Sequence, residues 1–106
     1  MAVPTKSESE LREALDEAVR RMERAFATCP PVDASADSDS LARASDIVDR
    51  VAADLRGAEA IAERLTNLTG VTESALMVTS AAHVAFELVR SALMILRAEL
   101  DARLSA

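Results

Sequence analysis

Apolar residues recur along this chain at steps of three and four, the period of an amphipathic helix. Leu11, Leu15, Ala18, Met22 and Phe26 form one such stripe. Leu41, Ala44, Val48, Val51, Leu55, Ala58, Ala62 and Leu65 form a second, widened by Ile47, Ile61 and Leu68. A third apolar stretch runs from Leu76 to Leu100. The pattern predicts an antiparallel three-helix bundle with helices over 7–28, 41–68 and 73–104, the third being the longest and most apolar.

Punctuation supports those limits. Thr5 with Glu8, and Ser7 with Glu10, fit the capping box, in which a hydroxyl and a carboxylate each satisfy a free N–H. Pro4 lies just outside the first helix. Cys29-Pro30-Pro31 ends it, since proline lacks a donor and disfavours helical geometry in the residue before it. Residues 29–40 are rich in Pro, Asp and Ser and lack periodicity, so they read as an exposed linker. Ser38 or Ser40 would cap the second helix. Gly57 inside that helix marks a close helix crossing, a bend or a tolerated glycine. Gly70 suits a left-handed helix terminus and Thr72 an N-cap.

The third helix is unusual. Its polar residues Ser80, His83, Glu87, Arg90, Arg97 and Asp101 form a narrow seam. A surface helix normally has an apolar stripe somewhat over 100° wide; this one is apolar over more than half its circumference. Such a helix is expected at the centre of a bundle, with one flank still uncovered. Large uncovered apolar patches mark association sites. The expected partner is another protein or a second copy, giving a homodimer. Leu76, Val78, Ala82, Phe86, Val89, Leu93, Leu96 and Leu100 are the expected interface.

A membrane span is not expected. Residues 75–98 hold 17 apolar residues and 7 others, with Glu87 and Arg90 at the middle. Charges there are costly in a bilayer, so the segment reads as a buried helix.

Composition narrows the function classes. One hundred and six residues suit a single domain over 1–106. Phe26 and Phe86 are the only aromatics besides His83. Eleven arginines against one lysine point to a GC-rich bacterial or phage gene. Net charge is −6, and residues 29–68 hold eight acids against four basic residues. An acidic chain without a basic cluster does not suit nucleic-acid binding. A single cysteine excludes an intrachain disulfide and fits a reducing compartment. No signal peptide is apparent, so a cytoplasmic location is expected.

Candidate chemistry is sparse. His83 and Glu87 lie one turn apart, with Ser80 and Arg90 beside them, and could bind a metal or form a relay. A metal site needs three or four ligands, and a relay needs an oxyanion hole. The plainer reading is a hydrogen-bonded seam with Glu87 paired to Arg90. Cys29 has no visible neighbour to stabilise a thiolate. Residues 61–76 superficially resemble a helix-turn-helix, but Thr66 to Thr69 lengthen the turn. The helix that follows lacks Arg or Lys before Arg90, so it could not read bases. The acids Asp33, Asp37, Asp39, Asp46, Asp49 and Asp54 could mimic phosphates toward a basic partner, or simply solvate the surface. Two isolated glycines allow no phosphate loop. No cofactor and no catalytic constellation is expected. The leading expectation is a non-enzymatic helical interaction module, a small regulator or inhibitor that self-associates through helix 3. The alternative is a small-molecule- or metal-binding bundle using the His83/Glu87 seam.

Overall fold

The computed structural model describes residues 6–105. It contains α1 (Lys6–Ala27), α2 (Ser38–Thr66) and α3 (Glu73–Leu104). The helices run up, down and up, and the molecule measures 58 × 17 × 15 Å. It is an all-α three-helix bundle, drawn out along the helix axes.

The expected limits hold closely, and the differences have local causes. Ser7 lies inside α1, so it does not cap it. Thr5 and Pro4 fall outside the described residues. α2 starts at Ser38 because Asp37 is its cap: the carboxylate accepts from the Ser40 N–H at 2.8 Å. Thr72 caps α3 as expected, accepting from the Ala75 N–H at 3.2 Å. Gly70 adopts φ +72° in the turn between α2 and α3, a conformation that suits glycine.

The central helix is α2, not α3. α2 packs along both neighbours, whereas α1 and α3 touch little. All eight positions of the α2 stripe are buried. α1 carries one apolar stripe and a charged back, so it can serve only that side of the bundle. The main core joins Leu15 and Met22 of α1, Val51, Leu55 and Leu65 of α2, and Phe86 of α3. Full burial of a side chain such as Phe86 contributes about 1.5–3 kcal/mol.

α1 has 22 residues and α3 has 32, so α1 cannot cover the whole bundle. The linker covers the far end instead. Cys29, Val32 and Ala36 are half-buried against a second cluster of Leu41, Ala44, Val48 and Leu100. Part of the expected exposed linker is therefore lid material. Asp33 shapes it by accepting from the Ser35 N–H at 2.9 Å and from the Ser35 hydroxyl.

Candidate interaction surface

α3 has two apolar stripes on opposite faces. The inner one is Ala75, Thr79, Ala82, Phe86, Val89, Leu93, Leu96 and Leu100, at alternating steps of four and three. It lies against the rest of the bundle, with Phe86 1% and Leu100 0% exposed. The outer one is Met77, Ala81, Val84, Leu88, Ser91, Ile95, Ala98 and Ala102. Each outer residue follows its inner counterpart by two, roughly 200° around a helix of 3.6 residues per turn. The outer stripe faces solvent: Met77 is 68%, Val84 63%, Leu88 69% and Ile95 65% exposed.

This corrects the expected interface. Ala82, Phe86 and Leu100 are buried within the chain, so they cannot line an outward surface as the bundle stands. Val78, Val89, Leu93 and Leu96 are half-buried and pack against the same clusters. Leu76 is partly open at 38%. Both stripes have the same period, and nothing in the pattern labels one as inner.

The polar seam occupies one flank between the stripes and ties α3 to α2. Arg90 reaches Glu59 at 2.6 Å and also holds Glu87 on its own helix. Arg97 pairs with Asp49. Ser80, His83 and Asp101 are exposed. The His83 ring meets the Phe86 ring edge-on, with centroids 5.5 Å apart. Glu59, Glu63, Thr66 and Asn67 of α2 line a shallow groove with His83. Among the described residues no three His, Cys, Asp or Glu side chains converge as metal ligands.

The other candidates also have structural partners. Burial pushes the Cys29 thiol up in pKa, away from the thiolate that reactivity needs. Of the six acids considered as phosphate mimics, four are engaged. Asp33 holds its turn, Asp37 caps α2, Asp49 meets Arg97, and Asp54 lies 3.9 Å from Arg21.

α3 is long and apolar enough to cross a membrane by length and composition, and only 17% of its most apolar window is buried. The expectation of a buried helix therefore fails on burial. Apolarity here is divided between a packed face and an open one. Its ion pairs to Asp49 and Glu59 would have to break before α3 could leave α2.

No family model matches the chain, and no curated protein or solved structure resembles it significantly.

Proposed function

We propose that this protein is a non-enzymatic helical interaction module that works by burying the outer stripe of α3, through self-association. The observation that carries this reading is the open face from Met77 to Ile95, whose large side chains stay mostly exposed. Contiguous apolar surface of that kind is uncommon on a monomer and marks association sites. A small acidic helical module of this type suits a regulator or inhibitor that acts by occupying a surface.

The alternative, a metal or small-molecule site at His83 and Glu87, draws less support. Glu87 is taken up by Arg90, and the nearby acids of α2 do not close around the imidazole.

Sedimentation velocity over a wide dilution series tests the reading. The protein should associate at high concentration, and Leu88→Glu should become monomeric while keeping its far-UV circular dichroism. A wild-type chain that stays monomeric at several hundred micromolar would overturn it.

A further inference from the structure

We propose that the cover of the outer stripe is a second copy of this chain, with the two α3 helices antiparallel in a left-handed coiled coil. The proposal rests on the interaction reading above and specifies its geometry. Alternating steps of four and three average 3.5 residues, which is the repeat that drives a left-handed supercoil. The stripe keeps that repeat without interruption from Met77 to Ala102. It is therefore a complete coiled-coil seam on the side of α3 that faces away from α2.

Side-chain sizes choose the direction. In the full-overlap antiparallel register, Met77 meets Ala102 of the second copy, and Leu88 meets Ser91. Val84 meets Ile95, and Ala81 meets Ala98. Met77 and Leu88 thus face small residues and Val84 faces Ile95, and only the two layers of Ala81 with Ala98 pair small with small. A parallel register stacks every residue on itself. Four of its layers, at Ala81, Ser91, Ala98 and Ala102, would then be small on small. Interiors are close-packed, and voids destabilise them.

The seam carries no ionised group, and at its C-terminal end Glu99 is paired with Arg103, so charge does not choose between the two directions.

The area is modest. A strip covering a third of a helix about 39 Å long buries roughly 550 Å² per copy. A total of roughly 1,100 Å² lies at the low end for specific complexes, which suits a dimer that dissociates in the micromolar range.

The test uses the full chain with Cys29→Ser as background. Two further variants, Met77→Cys and Ala102→Cys, are oxidised separately and as a mixture. The expected result is a mixed disulfide between the two variants, with little homodisulfide from either alone. Homodisulfides in the separate samples and none across the mixture would overturn the antiparallel geometry while leaving self-association standing. No cross-link in any sample, with a monomeric mass at several hundred micromolar, would overturn both. So would a monomer that binds vesicles of phosphatidylcholine and phosphatidylglycerol through the same face. Leu88→Glu on each background should abolish the mixed disulfide without loss of helicity, so a folding defect is distinguishable from a lost interface.

Discussion

The carboxylate of Glu8, near the start of α1, grips Thr72, the residue that caps α3. One oxygen accepts from the Thr72 N–H at 2.7 Å and the other from the Thr72 hydroxyl at 3.1 Å. Glu8 is 1% exposed, so it is among the most buried residues of the chain. The contact joins the two helices that otherwise touch least, at the end of the bundle where α3 begins. Glu8→Ala would strand a buried backbone N–H beside an uncovered hydroxyl. Hydrogen bonds to charged groups contribute about 1.5–3 kcal/mol, so a destabilisation of roughly 2–3 kcal/mol is expected in urea unfolding. Glu8→Gln keeps a carbonyl acceptor and should cost less. Equal costs for the two variants would mean that packing, not the hydrogen bonds, is what Glu8 contributes.

Gly57 and Gly70 should respond in opposite directions to alanine. A Cβ at Gly57 meets nothing within 4 Å, so no close helix crossing requires that glycine. Gly57→Ala removes backbone freedom from the unfolded chain and should stabilise by about 0.5–1 kcal/mol. Gly70 also has open space, but its φ of +72° strains any side chain. Gly70→Ala should destabilise by about 1 kcal/mol. The pair of thermal midpoints, read against wild type, checks both signs.

The two faces of α3 should separate cleanly under mutation. Phe86→Ala empties a site between α1, α2 and α3 and should cost roughly 3–5 kcal/mol of folding stability. Leu93 packs against both clusters, so Leu93→Glu should impair folding by burying a charge. Leu88→Glu and Ile95→Glu sit on the open stripe and should leave the monomer's unfolding free energy within about 0.5 kcal/mol of wild type. Urea titrations at low micromolar concentration, where monomer prevails, read all four. A large cost for Leu88→Glu there would mean that the outer face is held inside the chain.

Much of this was legible because helix period and helix punctuation are local. The eight α2 stripe residues, the α3 span from Glu73 and the Thr72 cap all follow from spacing and capping chemistry. What local rules do not carry is partner choice. Glu8 fits a capping box with Thr5, which lies outside the described residues, and its hold on Thr72 depends on the return of α3 to the start of α1, which no local spacing carries. Glu17 suits a bond to Arg21 one turn on, yet it bonds Arg24 at 2.8 Å while Arg21 lies near Asp54 of α2. Phe86 and Leu88 share one pattern and differ in which faces α2. The apolarity of α3 does not place it at the centre of the bundle for the same reason: apolarity measures how much surface wants covering and not whether the chain covers it.

Acid should weaken the far end of the bundle. The Ser40 backbone N–H holds the Asp37 carboxyl below the usual carboxylate range, and the Ser35 hydroxyl and N–H do the same for Asp33. A depressed folded pKa gives stability that is fully present above the unfolded value, about 3.9 for aspartate. That stability is lost as pH falls through the lower folded value. Thermal midpoints should therefore hold from neutral pH to about pH 5 and fall below it. Asp37→Asn keeps an oxygen that can cap α2 but cannot titrate. Its midpoint should fall less steeply between about pH 5 and pH 2. Parallel curves for the two proteins would exclude Asp37 as a source of the acid sensitivity.

Salt should strengthen self-association. Each copy carries a net charge of −6, so two copies repel at a distance. The outer stripe contains no ionised side chain, so its burial gains nothing from ion pairs that salt could screen away. Raising sodium chloride from about 0.05 M to 0.5 M shortens the screening length from more than 10 Å to less than 8 Å. The repulsion weakens while apolar burial persists, so the dissociation constant should fall. An interface held by acids meeting Arg103 or Arg97 of another copy would respond in the opposite sense and loosen with salt. Sulfate at matched ionic strength should tighten the dimer further, because its exclusion from protein surface favours burial. Sedimentation equilibrium across the three conditions reads the sign directly, and a dissociation constant that rises with salt would exclude a purely apolar seam.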